Sequence, residues 1–132
     1  MAERRIDRLS FVFDANAGFA AALIDSARKL IRLNGCDLCT ITHGIMGEKS
    51  EMASCRETLG VDVDYVHRDE MDPALIDVTR RRLPAVVAHT GDAVWLLLDR
   101  DVIARCRGSV SDLRGKLSFH AAKLGLVLPD ER

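Results

Sequence analysis

Apolar positions recur along this chain with two different periods. Leu9 to Phe13 is apolar on both alternating sets, with only Ser10 between, the pattern of a strand covered on two faces and therefore central in a sheet. After a loop from Asp14 to Gly18, Phe19, Leu23, Ile24, Ala27, Leu30 and Ile31 return at helical spacing, with Asp25, Arg28, Lys29 and Arg32 between them. That spacing predicts an amphipathic helix, ended by Asn34-Gly35, two residues that tolerate the left-handed backbone. From Cys36 to Gly47 no period holds. Thr40, Ile41 and Thr42 favour a strand, and Gly44 and Gly47 interrupt it. Met52, Cys55 and Leu59 mark one face of a short helix stopped by Gly60. Val61, Val63 and Tyr65 then alternate with Asp62 and Asp64, as in a half-exposed strand near a sheet edge.

The second half is punctuated more clearly. Asp72-Pro73 predicts a helix start, with Asp as cap and Pro in the first turn, and Arg80 to Arg82 stand where the helix dipole favours cations. Pro84 leads into a buried strand, Ala85 to Ala88. Thr90-Gly91-Asp92 turns it back through Val94 to Leu98 as a hairpin. Asp101 is expected to open a short helix closed by Gly108. Ser109 with Asp112 opens a last helix whose inner face is Val110, Leu113, Leu117, Ala121 and Leu124, capped by Gly125. The order β-α-(β)-α-β-α-β-β-α predicts a single α/β domain over residues 1–132, a central mixed sheet with helices on both faces.

Composition narrows the function classes. At 132 residues the chain is long enough to bury a core without staples, and 48% hydrophobic with 30% charged residues is globular. A net charge of -1 offers no basic field for nucleic acid, and a single Trp and a single Tyr offer no base-stacking platform. Met1 to Arg8 carries charges of both signs without an apolar core, and no apolar run has the length of a membrane span. The expectation is a cytoplasmic protein, where the four cysteines are core thiols, metal ligands or redox groups rather than structural disulfides.

Cys36 and Cys39 are the most informative pair: two thiols at this spacing close a disulfide or grip one metal. His43 follows four residues later. In a helix the three side chains point one way; in a strand the two thiols face opposite sides. A tetrahedral metal needs a fourth ligand, for which His67 is the first candidate and Asp69 or Glu70 the next. Two thiolates and two imidazoles suit zinc, copper or iron. Open α/β sheets bind ligands beyond the carboxyl ends of their parallel strands. Asp14 and Asn16 end the first strand, His67, Arg68, Asp69 and Glu70 end the edge strand, and Pro84 opens an antiparallel one. All of them are expected on one rim, where Cys39 to His43 would also end if that stretch is a parallel strand. His67 to Glu70 offers a general base, an anion-holding Arg or a metal ligand, against the plainer reading of a solvated strand exit. Gly44 to Ser50 imitates a phosphate loop, but Glu48 separates Gly47 from Lys49-Ser50, so no nucleotide is expected. Cys55 and Cys106 are expected to be packed, and His89 and His120 show no evident partner.

The element order, with Pro84 opening the first hairpin strand, resembles the thioredoxin-like superfamily over nearly the whole chain. The resemblance implies a cis proline facing active-site thiols. It also implies a reactive pair at the start of the helix after the first strand, where this chain has Ala15 to Gly18 and no cysteine. More locally, FVFDANAG, CDLCTITHG and VHRDE are similar to a group of small uncharacterised bacterial proteins with a Cys-x-x-Cys-x-x-Thr-His-Gly block. That similarity implies that Cys36, Cys39, His43 and His67 to Glu70 form one unit. The function expected first is a Cys/His site for a transition metal. The alternatives are thiol–disulfide exchange through Cys36 and Cys39, acting on a small molecule or a protein thiol, and a non-catalytic interaction domain.

Overall fold

Strand β2, Arg8–Val12, is the centre of the molecule: only its first residue is exposed and the other four are buried. In the computed structural model, which describes residues 4–15, 37–44 and 47–129, it lies between β5 (Asp62–Val66), parallel to it, and β6 (Ala85–Thr90), antiparallel. Strand β7 (Ala93–Leu98) completes a four-stranded mixed sheet in the order β5-β2-β6-β7. The expected central strand, edge strand and hairpin are therefore all present. The helix predicted over Phe19 to Ile31 lies outside the described residues, as do Asn16 and Cys36.

The period of two along β2 sorts its side chains between two cores. Leu9 and Phe11 join the larger cluster with Leu38, Ile41, Met52, Leu59, Ile103, Leu113 and Leu117. These belong to helices α1 (Asp37–Thr42), α2 (Ser50–Leu59), α4 (Arg100–Ala104) and α5 (Val110–Lys123). Val12 turns the other way and packs with Ala85, Val87 and Leu75, the last from α3 (Pro73–Thr79). Helices thus pack on both faces of an α/β sheet.

Local signals set most boundaries. Asp72 accepts a hydrogen bond from the Leu75 N–H at 2.9 Å, with Pro73 at the first helical position, and Gly60 ends α2 at φ 74°. Three expectations need correction. The expected strand character of Thr40 to Thr42 gives way to helix α1. There Leu38, Cys39, Ile41 and Thr42 reach the core from one side, and burial outweighs β-branched preference. Asp99, not Asp101, opens α4, since its carboxylate takes the Val102 N–H at 2.9 Å. Leu124 is 41% exposed rather than on the inner face of α5, because the helix ends at Lys123.

The chain ends also pair, which the hydrophobic pattern did not predict. β1 (Arg4–Arg5) runs parallel to β8 (Leu126–Val127), and Ile6, Leu126 and Leu128 close the core beneath them. Among the described residues no helix is long and apolar enough to cross a membrane.

Gly115 sits inside α5, and a methyl group there would meet nothing within 4 Å. Gly115→Ala is therefore expected to stabilise the protein by about 0.5–1 kcal/mol through helix propensity alone. A denaturant midpoint that falls on this substitution would contradict the open surroundings of Gly115.

Candidate functional site

The register of the sheet brings three chain segments to one rim. Val12 is level with Val66 and with Ala85, so β2 and β5 end where β6 begins. The pairing continues past the strands: Phe13 N–H donates to Val66 O and Arg68 N–H to Ala15 O, each at 2.8 Å. Asp14, His67, Arg68 and Pro84 are gathered at this edge as expected. The Leu83–Pro84 peptide is cis. Arg68 is ion-paired with Asp14 at 2.9 Å, which fastens the exit of β5 to the exit of β2.

Phe13, buried to 4% exposure, is the hub. The ring of His67 meets it edge-on at 5.6 Å and the ring of His43 at 5.7 Å, while Tyr65 stacks on it at 5.4 Å. His43 also lies edge-on to Tyr65 at 5.1 Å. His43 reaches this place from β3 (His43–Gly44), which directly follows α1 and pairs with β4 (Gly47–Glu48) in a two-rung antiparallel ladder. Helix α1 thus feeds His43 to the rim, a placement the sequence left undecided between strand and helix.

Hydrogen bonds fix the tautomer of both imidazoles. His67 Nδ1 is 2.8 Å from Glu70 Oε1, and a carboxylate only accepts, so Nδ1 carries the hydrogen. The same carboxylate takes the His67 backbone N–H at 2.8 Å, closing the short 3-10 turn Arg68–Glu70. These bonds, the backbone one first, hold the Glu70 carboxyl below its usual range. His43 Nδ1 is 2.6 Å from Thr42 Oγ1, whose hydroxyl donates to Leu38 O at 3.2 Å; the hydroxyl oxygen then accepts from Nδ1–H. Both rings therefore keep Nε2 as the nitrogen with a lone pair. Burial pushes the His43 imidazole below its ordinary pKa, Glu48 opposes this, and His67 adds to it.

A second group of side chains adjoins this one and was not anticipated. Glu48 accepts from Arg56 Nε at 2.7 Å and Nη2 at 2.8 Å, and from the Tyr65 hydroxyl. The guanidinium holds the Glu48 carboxyl down to about 2, and burial together with the hydrogen bond to Glu48 pushes the Tyr65 phenol up. In sequence Glu48 registered only as the residue that spoils a phosphate loop. Nothing local links it to Arg56 and Tyr65, which arrive from a helix and from the edge strand.

The cysteines divide. Cys39, on α1, is 5% exposed and disulfide-bonded. Cys55 and Cys106 are buried thiols in the core, as expected, and burial raises the Cys106 thiol despite its arginine neighbours in sequence. Asp69 stands on the 3-10 turn, exposed. Among the described residues no group of three or more Cys, His, Asp or Glu is arranged to hold a metal ion.

One further pair looks catalytic and is not. Ser10 Oγ lies 2.8 Å from His89 Nε2, but His89 Nδ1 accepts from Arg8 Nη2 at 3.2 Å. An arginine always donates, so the hydrogen sits on Nε2 and the ring cannot take a proton from Ser10. The partners of His89 come from β2, which is why the sequence showed none.

Comparison with protein-family models, with curated proteins and with solved structures gives no match for this chain.

Proposed function

We propose that this rim is a Cys/His site for a transition metal, with His43 and His67 as its two imidazole ligands. One observation carries the proposal: two histidines from separate elements flank the same phenylalanine, and each has its Nδ1–H engaged by a neighbour, Thr42 or Glu70. Metal-binding histidines are oriented in this way, the outer nitrogen held and the inner one left with its lone pair. A depressed pKa also keeps His43 neutral, the form that coordinates. Cys36 and Cys39, reduced to thiolates, would complete a tetrahedral set suited to zinc, with copper or iron as other candidates.

The second reading is thiol–disulfide exchange through Cys36 and Cys39, favoured by the bonded state of Cys39. The reduced pair would pass two electrons and two protons to a substrate disulfide, one thiolate attacking it to form a mixed disulfide that the second resolves, so that the substrate leaves as two thiols while the protein disulfide closes. A thioredoxin-like fold belongs to the same proposal. A parallel β2–β5 pair, an antiparallel β6–β7 hairpin and Pro84 at the start of β6 support it. The setting we propose is the cytoplasm, where a bonded cysteine is more often catalytic or sensing than structural.

Elemental analysis by plasma mass spectrometry, with thiol counting on the same chelator-free sample before and after reduction, separates these readings. A metal site predicts about one metal per chain, lost in Cys36→Ser/Cys39→Ser and weakened in His67→Ala. No metal, with two thiols that appear only after reduction, would replace it with the dithiol reading. No metal and four inert thiols would end both.

A further inference from the structure

His43 rides on a ladder of only two rungs, His43 opposite Glu48 and Gly44 opposite Gly47. So short a hairpin has little stability of its own; the Lys49 N–H bond to Thr42 O at 2.9 Å and the flanking helices hold its ends, and side chains must fix its approach to the sheet. Glu48 makes those ties. Its carboxylate grips Arg56 of α2 through both oxygens and receives the Tyr65 hydroxyl of β5. Directly paired residues of an antiparallel ladder project from the same face. A carboxylate anchored to α2 and β5 therefore also sets how His43 approaches Tyr65 and Phe13, which its ring meets at 5.1 and 5.7 Å.

We propose that Glu48 is the positioning residue of this rim: clamped by Arg56 and Tyr65, it fixes the hairpin and thereby the place of the His43 ring beside Phe13. Glu48 donates no ligand and takes no proton in this role: three of its four acceptor sites take Arg56 Nε, Arg56 Nη2 and the Tyr65 hydroxyl. Arg56 and Tyr65 act through it. The inference rests on the proposed metal site for its significance, but the placement of the ring does not require a metal.

The test is Glu48→Gln, with Tyr65→Phe beside it, in the full chain. The glutamine keeps the size of the side chain and loses the bidentate acceptance of Arg56. Tyr65→Phe keeps the ring against His43 and Phe13 and loses only the hydroxyl. In metal-free protein, the carbon-bound ring protons of His43 should carry ring-current shifts from Tyr65 and Phe13. Those shifts should collapse toward unstructured values in Glu48→Gln and change less in Tyr65→Phe, while the resonances of His89 and His120 stay in place. In reduced protein, Zn²⁺ affinity should fall roughly ten- to hundred-fold in Glu48→Gln. Unmoved His43 resonances would overturn the proposal. So would wild-type Zn²⁺ affinity in Glu48→Gln. Absence of Zn²⁺ uptake by the wild type would instead sink the metal site, and the metal-free resonances would still decide the role of Glu48. If Glu48→Gln does not fold, Tyr65→Phe decides: no shift of His43 in that variant overturns the clamp.

Discussion

Phe13→Ala is expected to cost about 3–5 kcal/mol of stability, the range for deleting a buried aromatic ring. Phe13 is 4% exposed and belongs to the larger core, so truncation opens a cavity in that core. The same ring is the common neighbour of His43, His67 and Tyr65. Both imidazoles should therefore lose their fixed setting, and any metal affinity should fall further than in His67→Ala alone. Phe13→Leu retains most of the apolar volume and should cost less stability while still removing the aromatic edge contacts. Urea unfolding of both variants separates the packing role from the site role. A Phe13→Ala protein with nearly wild-type stability would show that this ring does not hold the rim together.

Stability should fall on acidification in two stages. His43, His89 and His120 are each held below the ordinary histidine value of 6.5, first by burial; Glu48 opposes this for His43, while Arg8 adds to it for His89 and Lys123 for His120. A group depressed in the folded state binds its proton more readily in the unfolded chain. Its contribution is therefore complete above pH 6.5 and is lost as pH falls through the lower, folded value. Glu48 and Glu70 act in the same direction lower down. Glu48, held to about 2 chiefly by Arg56, keeps stabilising the fold below its ordinary value of 4.5 and gives this up as pH approaches 2. Thermal or urea unfolding from pH 8 to pH 2.5 should show a first decline below 6.5 and a steeper one below 4.5. In Glu48→Gln the second decline should be shallower. A profile that rises on acidification anywhere between pH 6.5 and 2.5 would contradict the depressed values.

Much of the frame was legible because its signals are local. Alternation along Val61 to Tyr65 marked a half-exposed edge strand, and a run apolar on both alternating sets marked β2 as central, since each pattern reflects how many faces are covered. Asp72-Pro73 and Ser109 declared helix starts through the side-chain oxygens that cap them. The convergence of Asp14, His67, Arg68 and Pro84 on one rim followed from strand directions alone.

What failed to show was whatever depends on a partner in another element. Thr40 to Thr42 read as strand by its β-branched residues, and only the buried surface offered to α1 made it helical. Glu48 had no visible role because Arg56 and Tyr65 come from α2 and β5. His89 had no visible partner because Ser10 and Arg8 are 79 and 81 positions away. By itself the sequence determined the sheet, its direction and the edge at which chemistry gathers, because capping, turn formation and hydrophobic periodicity act over a few residues. The tertiary structure alone decided the tautomer of His89, which carboxylate is clamped and how two histidines come to share one phenylalanine. Those are properties of contacts between segments, and no short-range pattern encodes them.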